Sequence, residues 1–193
     1  MNYEAYRTNK IESGLLYQDF VVDCCWTLLG LAIVQYASRT YQYNVGETRT
    51  GAEIKHDEKF ASTGNLWIEV GEKARPREGD YFPSGIRRGD NSWLYIIGDY
   101  NTVFLFPVTL LRTLQESGRY RIMENNTKTS TGFLLPAGDA RRYAAAVLYP
   151  HAEEKVGKLL GDIHARGRAL HEALTSPGGM NQMDLFRSAG DDS

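Results

Sequence analysis

Apolar positions change their period twice along this chain, and the changes mark out its elements. From Leu15 to about Ala37, Phe20, Val21, Cys24, Cys25, Leu28 and Leu29 recur at three- and four-residue spacing, with Gly30 at a break. That period predicts a mainly helical segment. The period then falls to two. Tyr41 to Glu47 is predicted as a first strand, followed by Gly51–Asp57 and Gly64–Val70, where Ile54, Leu66, Ile68 and Val70 are apolar at alternate positions. Between them, 58–64 is short and ends in the turn signal Thr63-Gly64-Asn65. The expectation is a hairpin folded near Thr63 and Gly64, with Glu69 across from Lys55–Asp57.

Gly79 to Asn91 is dense in turn signals: Gly79-Asp80, Pro83-Ser84-Gly85 and Gly89-Asp90-Asn91. Ser92–Tyr100 and Thr102–Phe106 are predicted as two further strands joined by Asp99-Tyr100-Asn101, and Pro107 opens a helix through Leu110, Leu111 and Leu114 that closes near Gly118. Asn125 to Pro136 is polar and then apolar, and packs Gly132–Pro136 on the body. The helical period returns from Asp139, breaks at Pro150, and runs from His151 to Leu174 with Val156, Leu159, Leu160, Ile163, Leu170 and Leu174 on one face. Ser176-Pro177-Gly178-Gly179 ends that helix and starts a tail whose last residues are small and acidic, a composition of terminal disorder.

The order helix, strands, helix implies one α/β (α+β) domain over 1–175, with a core at about 15–117, a C-terminal helical region at about 139–175 and a flexible tail over 176–193. At 193 residues and 42% hydrophobic content the chain can bury a real core. A net charge of −2 carries no general nucleic-acid signal, so any DNA contact must come from a local patch, for which Arg75, Arg77, Arg87 and Arg88 are available. Cys24 and Cys25 are adjacent, where a mutual disulfide would be strained, and read as buried thiols of a reduced cytoplasm. The polar N-terminus does not resemble a signal peptide, and no apolar run reaches the roughly 20 residues of a membrane span.

Strand alternation puts Glu53, Lys55 and Asp57 on one face, opposite Ile54, and the hairpin would add Glu69. Carboxylates gathered in one place repel unless a cation sits between them. All-oxygen ligands, with no cysteine or clustered histidine, suit Mg²⁺ or Mn²⁺, which activates water and stabilises charge on a phosphoryl group. A lysine alongside can orient that water or neutralise developing charge. The other reading is a solvated hairpin with Glu–Lys cross-strand pairs, worth about 0.2–1 kcal/mol each. Glu47 is either a further member of the cluster or a turn residue, and none of the helix acids Glu12, Asp19 and Asp23 is assigned.

The block resembles the core of the PD-(D/E)XK nuclease superfamily, in which one strand carries an acid and the next a Glu-x-Lys. The resemblance spans roughly Leu15 to Ser117, about half the chain. It implies a restriction-endonuclease-like mixed sheet flanked by helices, and a Mg²⁺-dependent (or Mn²⁺-dependent) DNA nuclease with metal on Asp57, Glu69 and Glu53. Gly71 stands where the lysine of a Glu69-x-Lys would be, so Lys55 is the expected ammonium, either from the neighbouring strand or as part of Glu53-Ile54-Lys55; Lys73 is a third candidate. A nuclease fold without catalysis, acting as an adaptor or inhibitor, is the rival reading that Gly71 keeps open.

The tail carries Gln182-Met183-Asp184-Leu185-Phe186, which resembles the pentapeptide by which bacterial proteins bind the DNA polymerase sliding clamp. Leu185 and Phe186 would fill an apolar pocket while Gln182 bonds at its edge. The expected partners are therefore DNA and the clamp, in a cytoplasmic setting without membrane, and the apolar face of the last helix allows a homodimer. Metal binding by His151, His164 and His171 lacks an acid or cysteine to complete a compact ligand set.

Overall fold

A computed structural model describes residues 3–76, 79–151 and 168. The chain divides into two compact units, Met1–Pro150 and His151–Ser193, and all elements below belong to the first. In order they are α1 (Tyr3–Leu29), α2 (Arg39–Asn44), β1 (Ala52–His56), α3 (Phe60–Thr63), β2 (Asn65–Glu72), β3 (Phe82–Pro83), a 3₁₀ turn (Gly85–Arg87), β4 (Leu94–Gly98), β5 (Val103–Pro107), α4 (Val108–Glu116), β6 (Met123–Glu124), β7 (Ser130–Pro136), α5 (Ala137–Tyr143) and β8 (Ala146–Leu148). The fold is mixed α/β with two four-stranded sheets.

The first sheet has the order β1-β4-β5-β8 and is mixed: β1 runs parallel to β4, and the remaining pairs are antiparallel. Its centre is the continuous apolar run Leu94-Tyr-Ile-Ile-Gly98, buried along its whole length, as a strand covered on both faces must be. One face, with Ile54, Ile96, Val103 and Leu105, packs on Tyr17, Val21, Cys24 and Cys25 of α1. The other face, with Tyr95, Ile97, Phe104 and Phe106, shares a core with Leu66 and Ile68 of β2, Phe133 and Leu135 of β7, and Leu111 of α4. The second sheet, β3-β2-β7-β6, is antiparallel throughout.

The expected hairpin is corrected. β1 and β2 follow each other in sequence but belong to different sheets, β1 pairing with β4 and β2 with β7. The reason is burial. Ala52 and Ile54 belong to the core beneath α1, whereas Leu66 and Ile68 belong to the second core, so the two strands bury their apolar residues in different places. The link is the helical turn α3, closed by Gly64 in the left-handed region.

Tyr41–Glu47 is also corrected. It opens with α2, where Val45 N–H bonds Tyr41 O, and Tyr41 stays exposed, its ring stacked on Tyr36 at 5.6 Å. Without a neighbouring strand, its alternation had nothing to pair with. The first helix starts earlier than expected and ends at Leu29, where Gly30 N–H bonds Trp26 O. Within 125–136, β7 is a full strand, and the helical stretch from Asp139 gives way to β8 before Pro150. The two cysteines are buried free thiols, and burial pushes Cys25 up to about 11. No helix among the described residues is long and apolar enough to cross a membrane.

A candidate carboxylate–lysine site at the edge of the mixed sheet

β1 is an edge strand, and the loop before it covers that edge. Thr48 Oγ1 accepts from Ala52 N–H at 2.7 Å and donates to Ala52 O at 2.9 Å, while Glu47 Oε2 accepts from Ile54 N–H at 2.9 Å. Side chains thus satisfy groups that an open edge would present to another chain. The same contact fixes Glu47 beside the strand's polar face, so Glu47 joins the cluster.

Alternation places Glu53 and Lys55 on the face opposite Ile54, with Glu53 in register with Tyr95 and Lys55 with Ile97. Lys55 Nζ lies 3.0 Å from Glu53 Oε1 and 3.7 Å from Glu47 Oε1. Glu69 is close enough to act electrostatically on both Glu53 and Lys55. Three carboxylates therefore surround one ammonium.

Glu53 is only 1% exposed. Its Oε1 is engaged by the Lys55 ammonium at 3.0 Å, and its Oε2 is buried without a hydrogen-bond partner. Burial raises the Glu53 pKa, Lys55 opposes the rise, and Glu47 and Glu69 add to it. Burial works against the Lys55 ammonium, but Glu53, Glu47 and Glu69 outweigh it and lift its pKa well above the ordinary lysine value. The Tyr95 hydroxyl is also buried; burial, then Glu53, hold its pKa well above the tyrosine range, against the opposing effects of Lys55 and the Glu69 backbone.

Asp57 stands at the end of β1 and holds the chain together. Its Oδ1 accepts from Lys59 N–H at 3.1 Å and its Oδ2 from Trp67 N–H at 2.8 Å, so it ties α3 and β2 to the strand. Burial raises its pKa, and the bonds from Trp67 and Lys59 lower it in part. Glu69 Oε1 accepts from Ser84 Oγ at 2.7 Å. Lys55, Asp57, Trp67 and Glu69 line one cleft of about 610 Å³, together with Lys59, Asn65, Tyr95 and Asn125–Thr127.

The lysine question is answered by where the lysines lie. The β2–β7 register shifts between Glu69 and Gly71, and a Cβ at Gly71 would meet Thr131 Oγ1 at 2.9 Å and Phe82 O at 3.2 Å. A side chain there requires Thr131 to rotate and the Phe82 carbonyl to give way by a few tenths of an ångström. The Lys73 ammonium lies over the Tyr81 ring at 4.4 Å, and Lys73 does not line the cleft. Lys55 is the lysine held among the carboxylates.

The expected metal set of Glu53, Asp57 and Glu69 is not drawn into one cage: among the described residues no three His, Cys, Asp or Glu side chains converge as metal ligands. In kind the donors fit a hard cation, because Glu53 offers a buried oxygen, Oε2, beyond the one that Lys55 engages.

Two of the arginines available for a DNA-contacting patch are engaged within the chain. Arg87 is held by Gln115 at 2.6 Å and Glu116 at 2.9 Å, and Arg88 by Asp90 at 3.0 Å and Gln42 O at 2.8 Å. Arg77 lies outside the described residues, as do His164, His171 and the motif Gln182–Phe186.

Sequence reasoning did not find Tyr95, Ser84 or Trp67. Tyr95 and Ser84 enter only through pairings distant in sequence. Trp67 carried a signal, since alternation along β2 puts it on the polar side with Asn65 and Glu69. Comparison with family models, with curated proteins and with solved structures gives no match.

Proposed function

We propose that the carboxylate–lysine cleft hydrolyses phosphodiester bonds of DNA with the help of Mg²⁺ or Mn²⁺, with a restriction-endonuclease-like arrangement of the mixed sheet under α1. The observation that carries this reading is Glu53: a buried carboxylate with one oxygen on Lys55 and the other without a hydrogen-bond partner, set behind Lys55 and Glu69, which line the cleft. A buried group of this kind costs stability unless something compensates it, and such costs gather at functional sites. Glu53 and Glu69 would hold the metal, with Asp57 at the cleft wall, where each oxygen keeps a lone pair beyond its backbone bond. When bound, the metal supplies Lewis-acid stabilisation of the phosphoryl oxygens and a more acidic water.

The remaining work falls to side chains of the chain. Lys55, kept charged by its three neighbours, stabilises negative charge developing on the phosphate. Glu47 holds the edge of β1 and with it the position of Lys55. Ser84 orients Glu69. Tethering to a sliding clamp through Gln182–Phe186, a cytoplasmic setting and a homodimer through the last helix belong to the same proposal.

A second reading rests on Lys55 as well. Its ammonium already neutralises Glu53 and Glu47, as in an inert charge cluster, which suits a non-catalytic adaptor or inhibitor associated with the clamp. A panel of branched, linear, single-stranded and duplex DNAs, incubated with Mg²⁺, Mn²⁺ or EDTA, separates the two. Cleavage that needs the divalent ion supports hydrolysis; intact DNA throughout supports the adaptor.

A further inference from the structure

The cleft holds an aromatic platform as well as charge. Trp67 on β2 is half-buried and lines the cleft, and its indole lies against Gly132 of the paired strand β7. A Cβ at Gly132 would run into the Ile68 carbonyl oxygen and come within 2.9 Å of the indole atoms Cε2 and Cζ2, so glycine admits both the close strand pairing and the ring over that strand. Leu134, in register with Trp67, extends the apolar surface and is 40% exposed. Asn65 and Glu69 flank Trp67 at alternate positions, each about 7 Å away along the strand. Lys59 lines the same cleft, and Asp57 fixes the Trp67 backbone at 2.8 Å.

A flat apolar face, amide groups beside it, and ammonium and carboxylate groups one residue pair further along match the parts of a nucleotide in order. A base stacks on an indole whatever its identity, the amides meet its edge, and its phosphate reaches the charged end. A base stacked inside a duplex has no face to offer, so the platform favours an unpaired one. A cleft of about 610 Å³ has the size of a small-molecule site.

We infer that Trp67 is a stacking residue for an unpaired base, and that the cleft takes single-stranded nucleic acid in preference to duplex. The inference rests on the proposed function for its phosphate end, but its test reads binding alone. The full chain is titrated into a fluorescein-labelled 15-nucleotide single strand with Ca²⁺ in place of Mg²⁺, followed by anisotropy. The competitors are the same strand unlabelled, its duplex, a version with abasic sites, and dTMP.

The single strand should compete best, and the duplex and the abasic strand at least tenfold worse. Trp67→Ala should weaken binding about tenfold or more, while Trp67→Phe, which keeps a stacking face, should stay within about threefold of the parent. Equal binding by Trp67→Ala, equal competition by duplex, or absence of binding by the parent chain overturns the inference. Displacement by dTMP as effective as by the strand overturns the strand reading in favour of a free nucleotide. Trp67-dependent binding without cleavage in Mg²⁺ would remove the nuclease proposal and leave the platform standing.

Discussion

Replacing Lys55 with methionine isolates the energetics of the cluster. The substitution keeps the length of the side chain and removes the only ammonium that contacts Glu53 and Glu47 among the described residues. Glu53, at 1% exposure, is then a buried anion facing two other carboxylates. Breaking a fully buried pair costs about 3–5 kcal/mol. The Lys55 side chain is 33% exposed, so water can partly replace the ammonium, and about 2 kcal/mol is the appropriate figure. For a chain of this size that lowers Tm by about 4–8 °C.

The pH dependence has a definite sign. The folded-state pKa of Glu53 is already raised, so its protonation contributes stability that is complete below the unfolded value and is lost as pH rises through the folded value. Loss of Lys55 raises the folded value further. The Tm deficit of Lys55→Met should therefore be largest near pH 7.5 and shrink near pH 5. Adding Glu53→Gln to Lys55→Met removes the stranded charge and should restore most of the lost stability at pH 7.5. Thermal melts of the parent, both single variants and the double variant form a closed cycle. A Lys55→Met protein as stable as the parent, or no recovery in the double variant, would refute the reasoning.

Two further outcomes follow from the geometry and one from the sequence of the tail. Asp57→Ala should lose about 2 kcal/mol of stability in denaturant melts, because Lys59 N–H and Trp67 N–H lose their acceptor, and Asp57→Asn should recover part of it. In a DNA cleavage assay Lys73→Ala should match the parent, since its ammonium sits on Tyr81; an activity loss larger than that of Lys55→Ala would move the lysine role to β2. Replacing Leu185 and Phe186 together with alanine should remove binding to a bacterial sliding clamp in calorimetric titration and leave cleavage of short DNA unchanged, because a few buried anchors dominate peptide contacts.

What could be read from the sequence was what local periodicity controls. Ser92–Tyr100 was legible as a strand, Pro107 to Gly118 bracketed α4, and the alternation in Ala52–His56 placed Glu53 and Lys55 on one side of their strand. Partners distant in sequence could not be read. β1 passes over its sequence neighbour β2 to pair in parallel with β4, a choice made by which core each apolar face joins. That pairing alone puts the Tyr95 hydroxyl beside Glu53, and a turn after β3 brings Ser84 to Glu69. Glu53 and Glu69 both come within electrostatic reach of Lys55, although the hairpin that was expected to bring them together does not form. Asp57 was legible as a member of the group, but its two backbone bonds depend on where α3 and β2 leave their N–H groups, which no spacing rule shows.

The central claim is that Glu53 and its neighbours form a cation-dependent phosphodiesterase site. It is tested most directly by cleavage of end-labelled single-stranded DNA, comparing the full chain with Glu53→Gln, which keeps the size of the side chain and removes its charge. The account predicts cleavage by the parent in Mg²⁺, none in EDTA, and a rate at least about 100-fold lower for Glu53→Gln at unchanged Tm or above it. Cleavage by Glu53→Gln at the parent rate, or no cleavage by the parent with any divalent ion, would contradict it.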